Sequence, residues 1–522
     1  MPKDKSDALF QLIKSLKKSE KRYFKLFVSA DADGNSKKYL LLFDLIDRQK
    51  TFDEEALLAK APNLRPTQLS NLKAHLYKKI LQSIRSYDQS NVIDIQIREM
   101  IDHTQILFNR SLYGQCAALL KKAKKLAQKI DNLELQLEIL KWEKNLLTQT
   151  VGPDSQIRAN KIIEDVQNTN RRINNVNNFT NLSVKLNSLY VKMGFIRSKA
   201  DYNRVINIFN PDIIDVKQEE LSPNEKLNLY PLLVGYYFFL QDFENGYLYS
   251  RKWVDLFDEN KELQNSKMET YLNAINNLMI AEFKLYRYHN FVESSKRLRS
   301  LRRKPKAIMN ENIQLKLIKY TYVHEFNRFF MLGDFDVGVS LINKLKPGLE
   351  NFIFQLDNHS RLIMYYKLAC LYFGSNDYNE SIVWLNRILN YESVDIREDI
   401  HSFARILNLI CHYELGNTDV IDYYIRSTYR FILKKDDMYL FQKYILRFLK
   451  LLGAEFTEER LIPEFKKLRA QLLPLQDNPY EKRAFIYFDI ISWLESKIER
   501  RKVQDVIAEK AKLIIDEQRK VA

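Results

Sequence analysis

The sequence has few of the residues that form turns: glycine and proline number 12 each among 522 residues. Average usage would give more than twice as many. It holds three cysteines, has no apolar run near the ~18 residues of a membrane-spanning helix, and begins MPKDKSDALF, without the apolar core of a secretory signal peptide. These absences argue against a disulfide scaffold and predict a soluble protein of the reducing cytoplasm.

The motifs of familiar enzymes are also missing. There is no glycine-rich phosphate loop, no His-Glu-x-x-His zinc motif, no Cys-x-x-Cys pair and no nucleophile elbow. His324-Glu325 lacks a second histidine four residues on, and Cys411 and His412 are adjacent, so on a helix their side chains project about 100° apart. We therefore predict a protein with no catalytic residues, no metal and no cofactor.

Apolar residues make up 46% of the chain, and they recur at helical spacing almost everywhere, so we predict an all-α fold. Three helix starts carry capping-box patterns, in which a polar residue precedes a glutamate by three positions. They are Thr51 with Glu54, Ser222 with Glu225, and Asn478 with Glu481. In the last two, Pro223 and Pro479 occupy the first helical position.

A tight turn between two helical stretches recurs about every 43 residues, and an aromatic residue follows most of these turns. The residues at this position are Tyr113, Tyr202, Phe243, Tyr288, Phe335, Tyr378 and Thr418. The first gap is about twice the period, so a degenerate unit is expected around Gly152-Pro153. The spacing predicts about eight helical hairpins.

Large and small side chains alternate around these turns at helix-packing spacing. The best unit contains Tyr365, Leu368, Ala369, Tyr372, Ser381, Leu385 and Ile388. A partial copy contains Tyr230, Leu233, Val234, Tyr237 and Gly246. This pattern resembles the tetratricopeptide repeat (TPR), although the TPR period is about 34 residues. The resemblance implies a right-handed α-solenoid of irregular TPR-like hairpins over residues 91–430, with a basic helical domain at 1–90 and a helical cap at 431–522.

The resemblance also implies a binding surface, because in TPR-like proteins the first helix of each hairpin lines a concave face that holds peptides or helices. The corresponding residues are Phe238, Phe239, His324, Asn327, Phe330, Tyr366, Lys367, Phe373 and Tyr413. Apolar anchors outnumber charges, which suits an amphipathic helix. The alternative is that long helices, or the chain's own C-terminal helices, bury these aromatic residues.

Positive charge is concentrated near the N-terminus. The net charge is +16, and residues 1–90, with 18 basic and 11 acidic side chains, carry +7 of it. Residues 38–86 read as three helices, an arrangement that resembles a helix-turn-helix unit. Its third helix presents side chains suited to base edges or phosphates: Gln68, Asn71, Lys73 and Lys78. A helical end cap and a protein-docking site are the alternatives.

Together these patterns predict a non-catalytic scaffold that binds a protein or peptide partner on a concave face. The second hypothesis is a nucleic-acid-associated regulator whose N-terminal unit contacts DNA.

Overall fold

The computed structural model describes residues 4–30, 36–60, 66–88, 92–193, 196, 198–213, 217–305, 308–391, 398–433, 440–452, 458–478, 480–481, 485 and 488–521. Every regular element in these ranges is a helix, which confirms the all-α prediction. None of the helices described there combines the length and the apolar character that crossing a membrane requires.

The chain forms two compact units, Met1–Asn174 and Asn175–Ala522. The helices that begin in the first unit are α1 Asp4–Ser15, α2 Lys18–Ser29, α3 Ser36–Arg48, α4 Glu54–Ala59, α5 Pro66–Asp88, α6 Ile93–Phe108, α7 Tyr113–Lys129, α8 Leu133–Gln149 and α9 Ser155–Met193. The predicted three-part division at residues 90 and 430 stays a prediction.

The second unit contains the remaining helices. They are α10 Lys199–Ile213, α11 Pro223–Phe239, α12 Phe243–Asp258, α13 Lys261–Ser266, α14 Met268–Lys284, α15 Tyr288–Ser300, α16 Glu311–Leu332, α17 Phe335–Phe354, α18 Asn358–Gly374, α19 Tyr378–Leu389, α20 Glu398–Glu414, α21 Thr418–Leu433, α22 Leu440–Leu452, α23 Glu458–Leu472, α24 Ile490–Glu499 and α25 Val503–Val521. Short 3₁₀ helices occupy Gln218–Glu220, Leu301–Arg303 and Leu473–Gln476.

Six of the predicted turns share one backbone geometry. A residue with positive φ lies two positions before each predicted helix start: Ser111, Gln241, Tyr286, Gly333, Asn376 and Gly416. The next N–H then donates to the carbonyl five residues back, as from Asp377 to Tyr372 at 2.9 Å. This is the 6→1 hydrogen bond of a Schellman cap, which ends one helix and redirects the chain.

The second helix of each hairpin starts at the predicted residue in these six cases, which are α7, α12, α15, α17, α19 and α21. Tyr202 is the exception, because it lies inside α10 rather than at its start. Gly152 and Pro153 lie between α8 and α9, as expected for the degenerate unit. Local sequence therefore located most of the hairpin turns.

The capping predictions have a mixed outcome. Ser222 and Glu225 form the predicted capping box: the Glu225 N–H donates to the Ser222 hydroxyl, and the Ser222 N–H donates to the Glu225 carboxylate at 2.9 Å. The assignment of Thr51 is wrong. The N-cap of α4 is Asp53, whose Oδ1 accepts from the Ala56 N–H at 3.0 Å, because an aspartate immediately before the helix reaches that donor directly.

The third predicted capping box, at Asn478 and Glu481, has different partners. Asn478 Oδ1 accepts from the Tyr480 N–H at 2.9 Å. The Glu481 carboxylate accepts from the N–H groups of Leu440 and Phe441, at 2.8 and 3.1 Å, at the start of α22. Pro479 lies outside the described residues.

Small residues allow the two helices of a hairpin to approach closely. The fourth residue of the second helix is Cys116 in α7, Gly246 in α12 and Ser381 in α19. The Ser381 hydroxyl donates to the backbone carbonyl of Ala369 at 2.9 Å, and a Cβ on Gly246 would overlap the ring of Phe238. Bulky side chains at this position of α7, α12 or α19 would push the paired helices apart. In α15 and α21 the fourth residue is instead large, Phe291 and Ile421, and both are buried.

The first helices of successive hairpins pack side by side. Helix α14 contacts α16, α16 contacts α18, and α18 contacts α20, while each also packs against its own second helix. This row of helical hairpins is compatible with a helical-repeat array. The first helices face residues 488–521, which contain α24 and α25 and which we call the C-terminal segment.

Candidate functional site

The structure divides the predicted concave-face residues between two apolar clusters. Phe239 is buried and meets Tyr190, and Phe238 packs on Phe243 and Gly246. These two phenylalanines belong to the cluster around α11, α12 and α14. Phe330, Tyr366, Phe373 and Tyr413 belong to the cluster around α16, α18 and α20. The aromatic residues of the prediction thus pack in two separate apolar clusters.

The C-terminal segment contacts two residues of the second group, Phe373 and Tyr413. The ring of Phe373 meets Phe488 edge to face at 4.9 Å between centroids, and Tyr413 meets Trp493 in the same way at 6.4 Å. Phe373 and Tyr366 are both buried. The sequence left open whether these aromatic residues bind a partner or are buried by the chain itself. Phe373 and Tyr413 contact the chain's own C-terminal segment.

Helix α25 is amphipathic, and its apolar side faces inward. Val503, Val506, Ile507, Ala511 and Ile515 are buried at helical spacing. Leu513, on the opposite side, is 61% exposed. The helix therefore contributes an apolar stripe to the core of the second unit.

Polar contacts fix the position of α25 against the hairpins. The Gln504 amide donates to Asp336 at 2.9 Å, and the Gln518 amide donates to the carbonyl of Tyr286 at 2.7 Å. The backbone of α25 passes so close to Gly333 that a Cβ there would lie 2.7 Å from the Gln504 carbonyl oxygen. Helix α25 thus docks on the turns that follow α14 and α16. We call the face of α14, α16, α18 and α20 that meets the C-terminal segment the covered groove.

Charged contacts hold α24 and α25 together. Glu495 accepts from Arg469 at 2.8 Å and pairs with Lys510 at 2.5 Å. Burial opposes ionisation of Glu495, but hydrogen bonds from Lys510 and Arg469 hold the pKa of its carboxyl below the ordinary value. The indole N–H of Trp493 donates to Glu414 at 2.6 Å, which ties α24 to α20.

A chain of polar side chains connects the first helices α14, α16 and α18. The His324 Nε2–H donates to Asn276 Oδ1 at 3.1 Å, and its Nδ1 accepts from the Asn327 amide at 3.3 Å. Burial lowers the pKa of His324 to about 3, so the ring is neutral. Asn327 Oδ1 accepts from the Lys367 ammonium at 2.6 Å. Three of the predicted residues, His324, Asn327 and Lys367, are thus brought together.

A cavity of about 520 Å³ lies between the covered groove and the C-terminal segment. Three predicted residues line it: Phe330, Lys367 and Phe373. Sequence reasoning missed several others, including Phe283, Lys284, Phe488 and Lys510. The sequence could have predicted Phe283 as a groove residue. It precedes the second helix of its hairpin by five residues, as do Phe330, Phe373 and Tyr413.

The polar residues predicted on α5 lie mostly on its exposed side. Gln68, Asn71 and Lys78 are exposed. Lys73 is instead partly buried, forms an ion pair with Glu54, and lies over the ring of Phe52 at 4.8 Å. Lys73 therefore supports the packing of α5 on α4. The predicted turn at 62–66 lies almost wholly outside the described residues.

The three cysteines are buried thiols. Within the described ranges, no group of three or more His, Cys, Asp or Glu side chains is arranged to hold a metal ion. Burial raises the pKa of Cys370 and of Cys411 to about 12, which keeps both thiols protonated at neutral pH.

Comparison with protein-family models gives no match, and comparison with curated proteins gives no significant relative. The TPR resemblance therefore rests on the residues and turns described above, and function is argued from geometry alone.

Proposed function

We propose that this chain is a non-catalytic scaffold, built as a right-handed TPR-like solenoid, whose concave face binds an amphipathic helix of a partner protein. One observation carries the proposal: the chain's own amphipathic helix α25 packs on α16 and on the turns that follow α14 and α16. A surface that accepts one amphipathic helix has the width, apolar anchors and end contacts that another such helix needs.

The chemistry of α25 describes the helix that the partner would supply. Its apolar residues Val503, Ile507 and Ala511 are spaced four residues apart and are buried. Gln504 supplies a donor to Asp336 near the start of the helix. A partner helix with the same apolar spacing and a similarly placed donor would replace these contacts when α25 leaves.

Exchange of α25 for a helix added in trans tests this proposal. Ala511→Asp in the full chain places a carboxylate at a position that is 2% exposed, which costs about 3 kcal/mol when the charge has no partner. We expect this variant to release α25 and to bind a fluorescently labelled peptide of residues 503–521, measured by anisotropy. The unchanged chain should bind the peptide at least tenfold more weakly.

Leu513→Asp is the matched control, because it adds the same charge to the exposed side of the same helix. It should bind the peptide no better than the unchanged chain. Circular dichroism establishes that both variants keep their helices. If the Ala511→Asp variant is folded and does not bind the peptide, the proposal is contradicted.

A second candidate function is supported by the exposed side of α5. Its residues at three- and four-residue steps carry no acid: Gln68, Asn71, His75, Lys78, Gln82 and Arg85, all exposed. Such a stripe of amide, imidazole and cationic groups can contact bases and phosphates in a DNA groove. The stripe lies entirely within the first unit, so DNA binding there is compatible with helix binding elsewhere.

If this stripe contacts DNA, binding of the full chain to a labelled duplex should weaken about tenfold or more between 50 and 200 mM salt, because counterions are released from the phosphates. Lys78→Glu should weaken binding further and reduce the salt slope by about 1. Lys125→Glu makes the same charge change at an exposed position of α7 and should have little effect. Equal effects of the two variants would indicate nonspecific attraction only.

A further inference from the structure

The cavity beneath α25 is chemically mixed. Its apolar wall includes Phe283, Phe330, Phe373 and Phe488, and α25 closes it with Ile507. Its volume of about 520 Å³ lies within the range of pockets that enclose small-molecule ligands. The wall also carries charged side chains, and the sign of these charges identifies the class of ligand.

Cations outnumber anions around the cavity. Lys284, Lys367 and Lys510 line it, together with a single carboxylate, that of Asp489. Asp489 is engaged as the N-cap of α24, where it accepts from the Ser492 N–H at 3.0 Å and from the Ser492 hydroxyl at 2.6 Å. Lys510 is paired with Glu495. Of the three lysines, Lys367 donates to a neutral group, the side-chain oxygen of Asn327.

Lys367 lies against two phenylalanines of the apolar wall. Its ammonium lies 5.1 Å from the ring centre of Phe330 and 5.7 Å from that of Phe283. It donates to the oxygen of the neutral Asn327 amide, and no carboxylate of the described residues forms an ion pair with it. An ammonium has three donor hydrogens, so two are available to a ligand in the cavity. Burial lowers the pKa of Lys367 to about 8.

We propose that this cavity binds a small carboxylic acid with a hydrocarbon body, its carboxylate on the Lys367 ammonium and its chain among the phenylalanines. The apolar walls exclude a fully hydrated anion such as acetate or phosphate as the preferred ligand, because such an ion would gain no apolar burial. The bound carboxylate would supply the opposite charge that Lys367 lacks in the protein itself.

Decanoate and 3-phenylpropanoate are the probes, an aliphatic and an aromatic carboxylate, with decan-1-ol and acetate as comparisons. Isothermal titration of the full chain at pH 7 should show one site per chain for at least one of the two carboxylates. Acetate, which lacks the apolar body, should bind at least a hundredfold more weakly. The result is independent of the partner-helix proposal, because no peptide is involved.

Lys367→Met removes the charge and keeps an unbranched apolar chain, so the variant should melt no lower than the unchanged protein. It should bind the carboxylate at least tenfold more weakly, with less than a twofold change for decan-1-ol. Lys344→Met, at an exposed lysine of α17, should change neither. A lower affinity in the first variant therefore reports the lost charge and not a lost fold.

The pH dependence provides a second measurement. The other titratable groups facing the cavity are Lys284 at the end of α14, Tyr286 in the turn after α14, Cys370 from α18, Asp489 before α24 and Lys510 from α25, with His324 of α16 behind Asn327. Burial raises the pKa of Tyr286 and that of Cys370, and lowers that of His324, so none of these three titrates between pH 7 and 9. Carboxylate affinity should fall about tenfold over this interval as Lys367 deprotonates.

In Lys367→Met this pH dependence should disappear. The proposal is overturned if neither carboxylate binds the unchanged protein with a dissociation constant below about 1 mM, weak by the usual scale. It is equally overturned if Lys367→Met binds the carboxylate as tightly as the unchanged protein.

Discussion

Gly333→Ala should loosen α25 from the hairpins and destabilise the second unit. Gly333 has φ +72°, a conformation that costs an alanine about 1 kcal/mol. The added Cβ would also lie 2.7 Å from the Gln504 carbonyl oxygen and 2.8 Å from the Ala508 nitrogen. Both are backbone atoms of α25, so a side-chain rotation cannot relieve the overlap, and we expect about 1–3 kcal/mol more of destabilisation.

Gly416→Ala is the matched control for the conformational cost of placing an alanine at positive φ. Gly416 has φ +68° in an equivalent hairpin turn, but a Cβ there would meet no atom within 4 Å. It should therefore show the conformational cost alone. The difference between the two variants measures what close docking of α25 contributes.

Melting temperature and hydrogen exchange together provide the measurement. Gly333→Ala should melt several degrees below Gly416→Ala, and amides of residues 503–521 should exchange faster in Gly333→Ala alone. Equal melting temperatures and equal exchange in the two variants would mean that α25 does not depend on the close approach at Gly333.

The hairpin turns could be predicted because their signals are local. A Schellman cap needs one residue with positive φ and a helix start two positions later, and both lie within a few residues of the aromatic position. The same locality explains the errors. Tyr202 follows an aspartate as Phe243 does, yet it lies inside α10. Asp53, and not Thr51, caps α4, because Asp53 immediately precedes the helix.

The covering of the groove could not be predicted from spacing. The amphipathic pattern of α25 is visible in the sequence, but its contacts are distant: Gln504 with Asp336, and Gln518 with Tyr286. Nothing in a repeat period specifies which apolar stripe meets which groove. The sequence did place His324, Asn327 and Lys367 on first helices, but joining them into one polar chain requires the side-by-side packing of α16 and α18.

Glu282→Gln should stabilise the protein in a strongly pH-dependent way. Glu282 is fully buried on α14, one residue before Phe283. Its Oε1 accepts from the Ser294 hydroxyl of α15 at 2.9 Å, while Oε2 has no hydrogen-bond partner. Burial raises the pKa of this carboxyl from 4.5 to about 8, and attraction from Arg251, Arg297 and Arg287 offsets only part of that effect.

The sign of the pH effect follows from where the proton is held. Between pH 4.5 and 8 the folded protein keeps a proton on Glu282 that the unfolded chain releases, so stability from this group is full below pH 4.5 and is lost as pH rises to 8. By pH 7 the loss is about 3 kcal/mol. Glutamine has the same shape, can accept from Ser294, and does not titrate, so it avoids the loss.

The melting temperature of Glu282→Gln should therefore match that of the unchanged protein near pH 5 and exceed it increasingly up to pH 8. Glu293→Gln is the control, because Glu293 is exposed on α15 and pairs with Lys296 at the surface. Its effect should be small at every pH. If Glu282→Gln instead lowers the melting temperature at pH 8, the carboxylate is ionised and stabilising, and the hairpin of α14 and α15 is held together by its charge rather than by a neutral hydrogen bond to Ser294.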